Sequence, residues 1–135
     1  MSRIRQLAVY AAEESALAGL GRVFSGPAQA QRYVDDLVAG SWWEEHCSRI
    51  DRVAVDRSRS RRWAGYALPG TAEIRLATWN EPVVLHELAH LVTPGAGHGA
   101  AFVDALCDLV RVQMGFHAYG ALLGAVRNEL SGDGA

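Results

Sequence analysis

The sequence predicts a small α+β fold, because the spacing of its apolar residues changes twice along the 135-residue chain. Helical spacing holds over 27–40, gives way to short β-like segments over 50–77, and returns from residue 80 to near the C-terminus. Half of the residues are hydrophobic and a fifth are charged, as is typical of a globular domain. We therefore expect a single domain over 1–135, with 130–135 as a frayed tail.

The first helix that the pattern defines runs from about Pro27 to Gly40. The stretch "SGP" before it provides a polar cap and a proline for the first turn, and the apolar residues that follow lie on one helical face. This helix can extend through Trp42 and Trp43. Residues 1–24 are ambiguous, because their apolar positions fit a helical stripe and a strand equally well.

Three short segments in the middle of the chain are rich in β-branched or aromatic residues: "IDRVAVDR" (50–57), "RWAGYAL" (62–68) and "TAEIRLA" (71–77). An arginine-serine run separates the first two, and Pro69-Gly70 separates the last two. We expect these segments to form a three-stranded antiparallel sheet, arranged as a meander. The sheet should pack against the N-terminal helix and the helices that follow it.

Three helices are predicted after the strands. The first is capped by Asn80, tolerates Pro82 in its first turn, and ends near 91–93 because Pro94 disfavours helical geometry at the preceding residue. A second helix follows the "PGAG" turn and stops at Gly115, and a third occupies the C-terminal part of the chain. The first of these three helices carries the candidate metal ligands, and the other two are covering helices.

The chemistry lies in "HELAH", residues 86–90 of the helix capped by Asn80. Histidines four residues apart in a helix point the same way, so the imidazoles of His86 and His90 can reach one ion at the roughly 2.0–2.1 Å that zinc requires. Glu87 is displaced around the helix, so it misses the metal but can reach a water bound to the metal and act as general base. The plainer interpretation is that both histidines are ordinary, partly buried side chains.

A catalytic zinc usually has three protein ligands and an open fourth position, so a third ligand is needed. We predict His98, because Pro94, Gly95 and Gly97 can turn the chain back over the end of the helix. The alternative role of His98 is to cap the following helix. The alternative third ligands are Asp104, Asp108 and His117.

"HELAH" followed by "GHGAAF" resembles the SprT-like group of zincin metallopeptidases, in which HExxH is followed by a histidine that opens an HGxxF helix. More closely, "VYAAE", "YVDDLVAGSWW", "VVLHELAHL" and "HGAAF" resemble a small, uncharacterised family of metallohydrolases of high-GC bacteria and their phages, over residues 9–116. The resemblance implies a minimal zincin-like domain with zinc on His86, His90 and His98 and with Glu87 catalytic. It also implies that "EIRLA" (73–77) is an edge strand along which a peptide substrate can lie.

Two features of the sequence restrict which zincins the chain resembles. The metzincin pattern requires five residues between its second and third histidines, whereas seven separate His90 from His98. The chain also lacks the cysteine-rich zinc ribbon that many SprT-like proteins carry, which argues against their DNA-targeted roles.

Other features bear on partners and compartment. The net charge of −2 gives no global attraction to nucleic acid, and the Arg57–Arg62 loop is either a phosphate-binding patch or, as we favour, a solvated turn. Cys47 and Cys107 match no paired-ligand spacing and suggest free buried thiols in a reducing compartment. No stretch is long and apolar enough for a signal peptide or a membrane span, so we expect a cytoplasmic protein without a membrane partner. We also expect it to be a monomer.

The sequence therefore predicts a zinc-dependent metallohydrolase, specifically a metallopeptidase that cleaves a peptide or protein substrate with Glu87 as general base. One alternative is a zinc amidohydrolase or esterase that does not act on peptides. Another is a zinc-stabilised, non-catalytic binding module, which could recognise nucleic acid through its Arg57–Arg62 loop. The residue that stabilises the oxyanion is left open among several candidates: His117, Tyr119, Tyr66 and the arginines.

Overall fold

The computed structural model describes the backbone of residues 3–60 and 62–134, and the side chains of 5–60 and 62–130. Within these ranges six helices and one three-stranded sheet form a mixed α+β arrangement, as predicted. The helices are α1 (Arg3–Leu17), α2 (Pro27–Val38), α3 (Ser41–Cys47), α4 (Glu81–Val92), α5 (Ala100–Met114) and α6 (Phe116–Gly134). The strands are β1 (Ala54–Arg57), β2 (Gly65–Leu68) and β3 (Glu73–Leu76).

The sheet is mixed, so the expected antiparallel meander is wrong. Its strand order is β1-β3-β2, with β3 parallel to β1 and antiparallel to β2. β1 ends at Arg57 and β2 begins at Gly65, and β2 does not lie beside β1 in the sheet. The short turn at Pro69–Thr71 then returns β3 into the gap, where it runs antiparallel to β2 and hence parallel to β1.

The central position of β3 agrees with its burial. Ile74 and Leu76 are fully buried, whereas β1 is exposed over most of its length. A strand with buried apolar residues is better placed in the centre of a sheet, where both of its edges are paired. The expectation that "EIRLA" is an edge strand is therefore wrong, since Glu73–Leu76 pairs on both sides.

Contacts divide the chain into two compact units. The unit Arg22–Pro94 contains α2, α3, the sheet and α4. Within it α4 packs against β2 and β3, and α2 packs against β1. The expectation of a single domain stays a prediction.

The other unit joins Met1–Gly21 to Gly95–Ala135 and contains α1, α5 and α6. Here α6 packs against both α1 and α5. The sequence left residues 1–24 ambiguous between helix and strand, and their described part is mainly helix, since α1 spans Arg3–Leu17. The predicted tail over 130–135 overlaps the end of α6, whose helical backbone continues to Gly134, while Ala135 lies outside the described residues.

The predicted helix boundaries in the middle of the chain are largely confirmed, with one correction. The helix predicted over 27–40 ends at Val38, and Trp42 and Trp43 belong to a separate helix, α3, that begins after Gly40. Asn80 caps α4, which ends at Val92, and Gly115 terminates α5 with a positive φ of 96°. Glycine favours this backbone region because it has no Cβ.

Both cysteines are free and buried, as predicted. Burial, with a smaller contribution from the charge of Asp104, raises the pKa of the Cys107 thiol to about 11. Burial also raises the pKa of Cys47, against the opposing effect of Arg49. Both thiols are therefore protonated at neutral pH. Among the helices described, none has the length and apolar character needed to cross a membrane.

Candidate metal centre

The N-terminus of α4 is fixed by two side chains. The Asn80 carboxamide oxygen accepts a hydrogen bond from the backbone N–H of Val83 at 3.0 Å. The buried carboxylate of Glu81 accepts from the backbone N–H of Arg22 at 3.0 Å and from the hydroxyl of Tyr33. An acidic residue in the first turn also complements the positive end of the helix dipole. The helix that carries "HELAH" thus begins at a defined position.

The C-terminus of α4 is held in a similar way. The Thr93 hydroxyl donates to the Ala89 carbonyl at 2.8 Å, and the Arg49 guanidinium donates to the carbonyl of Leu91. The Ala89 carbonyl also accepts the backbone N–H of Thr93 at 3.1 Å, and the Leu91 carbonyl belongs to the last turn, whose carbonyls lack intrahelical donors. His90 lies in this last turn, so the backbone that carries its imidazole is well anchored.

His86 and His90 lie one turn apart, as the spacing predicts. Their ring centroids are 5.0 Å apart and the rings are nearly perpendicular, at 68°. The His86 side chain is buried, with 3% of its surface exposed, and His90 is half-buried.

The connection after α4 brings His98 to this pair. Gly95 and Gly97 adopt positive φ angles of 82° and 59°, which allow the sharp turn predicted from the sequence. His98 is buried, and the ligand atoms of His86, His90 and His98 all lie within 4.8 Å of one another. Within the part of the chain that the structure describes, this is the one such cluster, and it contains none of the alternative third ligands, Asp104, Asp108 and His117.

The chemistry of these donors fits a zinc ion. Three nitrogens at roughly 2.0–2.1 Å from a tetrahedral ion are about 3.4 Å apart, and the soft χ2 torsion of histidine allows imidazoles within 4.8 Å of one another to close to that separation. Neutral imidazole suits zinc and the later transition metals, whereas magnesium and calcium prefer oxygen. Ligation by His86, His90 and His98 nevertheless remains a prediction.

Glu87 packs directly beneath strand β2. Its side chain is 4% exposed, and a Cβ atom built on Gly65 would lie 3.3 Å from the Glu87 Cγ. The same Cβ would lie 3.0 Å from the Arg75 carbonyl oxygen, which is closer than a β-carbon ordinarily approaches. The absence of a side chain at Gly65 therefore leaves the space that Glu87 occupies.

If Glu87 is the general base that the sequence predicts, Gly65→Ala should lower kcat by about 10- to 100-fold, because it displaces Glu87 by a fraction of an ångström. The substitution should also cost about 1–3 kcal/mol of stability through overpacking. The measurements are kcat at saturating substrate, bound metal per chain, and the free energy of unfolding. Gly70→Ala is the matched control, because a Cβ there meets nothing within 4 Å. Equal loss of activity in both variants, or no loss in Gly65→Ala, would contradict the expected effect of Gly65 on the position of Glu87.

The other predicted residues lie outside the histidine cluster. The Tyr66 hydroxyl accepts a hydrogen bond from Arg75 at 3.5 Å, His117 is exposed on α6, and Tyr119 is half-buried on the same helix. In the predicted arginine loop, the Arg57 guanidinium lies over the Trp79 ring and that of Arg62 over the Trp63 ring. Arg61 lies outside the described residues.

Gly65 and Arg5 are not among the residues singled out from the sequence. Gly65 contacts Glu87 across 22 positions of the chain, and Arg5 contacts His98 across 93. No local spacing encodes such contacts. Tyr10, whose ring contacts His98, belongs to the motif "VYAAE", but its role could not be assigned without the fold.

Comparison of the chain with protein-family models, with curated proteins and with solved structures finds no match. The resemblance to SprT-like zincins therefore rests on the motifs themselves.

Proposed function

We propose that this chain is a zinc-dependent hydrolase, and specifically a metallopeptidase. The observation that carries the proposal is the cluster of His86, His90 and His98, with the carboxylate of Glu87 on the same helix as the first two. Three nitrogen donors and an adjacent buried carboxylate are what a hydrolytic metal site needs from a protein. The zincin-like character of the fold is part of this proposal.

When bound, a zinc ion polarises the scissile carbonyl and lowers the pKa of a coordinated water to about 7. The three histidines hold the ion through neutral imidazole nitrogens. Glu87 accepts the proton of the attacking water and passes it to the leaving nitrogen. The space left by the missing side chain of Gly65 lies next to the Glu87 Cγ, so a larger residue there would displace the carboxylate.

A catalytic role is favoured over a purely structural one by the number of donors. Structural zinc sites are closed by four protein ligands, often cysteines. The cluster contains three histidines, and neither Cys47 nor Cys107 belongs to it. With the fourth position open, a carboxylate beside the site can act on a water bound there.

An extended peptide is the substrate that the sheet favours. Strand β2 forms one edge of the sheet, and it begins at Gly65, the residue that contacts Glu87. We propose that substrate backbone pairs with the outer edge of β2 rather than with β3, whose two edges are occupied. Pairing through the main chain gives affinity with little dependence on substrate sequence.

We also propose that the protein is cytoplasmic and monomeric, as the sequence predicts. Two buried thiols without a disulfide fit the reducing environment of a cytoplasm. We expect the enzyme to act as a monomer.

The test is cleavage of an unfolded protein, followed by gel and mass spectrometry, beside hydrolysis of a small aryl ester. Cleavage should stop with 1,10-phenanthroline and, after the chelator is removed, return when one equivalent of zinc is added, whereas magnesium should not restore it. Ester hydrolysis with the same metal dependence but no peptide cleavage would favour the non-peptidase alternative. Peptide cleavage that survives removal of the metal would indicate a contaminant and contradict the proposal.

A further inference from the structure

Helix α1 contacts the histidine expected to be the third ligand. The Arg5 Nε donates a hydrogen bond to the backbone carbonyl of His98 at 2.8 Å, and the two residues are 93 positions apart. The Tyr10 ring lies 5.4 Å from the His98 ring, centroid to centroid, at 55°. Phe102 meets the same imidazole edge to face, at 4.9 Å and 77°.

These contacts matter because His98 lies outside any helix or strand. The segment between α4 and α5 contains Gly95 and Gly97, both with positive φ, and glycine-rich backbone has more conformational freedom than a helix. His86 and His90, by contrast, are held by the helix that carries them. A ligand on such a segment needs support from elsewhere to be held ready for the metal.

Arg5 and Tyr10 provide two different kinds of support. The hydrogen bond from Arg5 fixes the carbonyl of His98 and is strengthened by the charge of the donor. The ring contacts from Tyr10 and Phe102 limit the orientations of the imidazole. Phe102 is fully buried, so its replacement would disturb the core, whereas Arg5 and Tyr10 are half-buried and can be changed more selectively.

We propose that Arg5 and Tyr10 are positioning residues that hold His98 in the geometry of a metal ligand. The inference rests on the proposed metal site and extends it to the N-terminal helix. It follows that metal affinity depends on α1, although this helix contains none of the clustered histidines. Loss of support of this kind typically weakens metal binding by about 10- to 100-fold.

The test measures zinc affinity by competition with a fluorescent chelator, together with the visible spectrum of the cobalt-substituted protein. Arg5→Leu and Tyr10→Leu should each weaken zinc binding by about 10-fold or more and alter the cobalt bands. Arg127→Leu, which removes an exposed arginine of α6 in the same unit, is the matched control and should leave both readouts unchanged.

A double-mutant cycle separates positioning from general destabilisation. In a His98→Ala background, Arg5→Leu should have no further effect on zinc affinity, because the group it supports is gone. An equal loss in both backgrounds, or no loss in either single variant, would overturn the inference while leaving the proposed function intact. Failure of the unchanged protein to bind zinc would overturn both. If Arg5→Leu does not fold, Tyr10→Leu in the same cycle decides.

Discussion

Replacing Glu87 with glutamine is expected to lower kcat by about 10²- to 10⁴-fold, the range that a general base contributes, while leaving the metal bound. Glutamine has nearly the same shape and fills the same space beneath Gly65, but its amide cannot accept the proton of the attacking water. The measurements are kcat on an unfolded protein substrate and zinc per chain by mass spectrometry.

The matched control is Glu81→Gln, which changes a second buried glutamate of the same helix. Glu81 is bonded to Tyr33 and to the backbone of Arg22, so its replacement should cost stability, by about 1–3 kcal/mol, and leave the turnover of folded protein unchanged. A Glu87 variant as active as the unchanged protein would eliminate this residue as general base. So would equal losses of turnover in the two variants.

Removing one imidazole of the cluster should have the largest effect on the metal. We expect His90→Ala or His98→Ala to weaken zinc binding by roughly 100-fold. Structural sites with four ligands bind zinc with a free energy of about 10–16 kcal/mol, so each ligand contributes about 3 kcal/mol. Hydrolytic activity at limiting zinc should fall in parallel. Chelator competition measures the affinity, and activity is followed as zinc is titrated.

The controls are His46→Ala and His117→Ala, which replace exposed histidines outside the cluster. Zinc affinity and activity should be unchanged in both. If His117→Ala weakened zinc binding as much as His98→Ala does, the ligand set proposed here would be incorrect.

Helix α4 was the most predictable part of the structure, because its determinants are local. Asn80 and Pro94 mark its ends within one or two residues, and the four-residue spacing places His86 and His90 one turn apart. The proximity of His98 was also predictable, since only a short glycine-containing turn separates it from the helix. Local backbone preferences are enough to determine such features.

The order of the strands was not predictable in the same way. The three strands lie within the segments predicted from composition, although each begins two to four residues later than predicted. Which strands pair depends on the path of the connection between β1 and β2 and on the burial of Ile74 and Leu76. Polar loop composition does not specify that path. The same limitation applies to the contacts of Gly65 with Glu87 and of Arg5 with His98, which join residues distant in the chain.

The most direct test of the central claim is X-ray absorption at the zinc edge of the purified protein, with metal content measured on the same sample. The account predicts one zinc per chain, with a first shell that includes three imidazole nitrogens at about 2.0–2.1 Å. A protein without zinc, a shell that contains sulfur from Cys47 or Cys107, or one made of oxygen alone would contradict it.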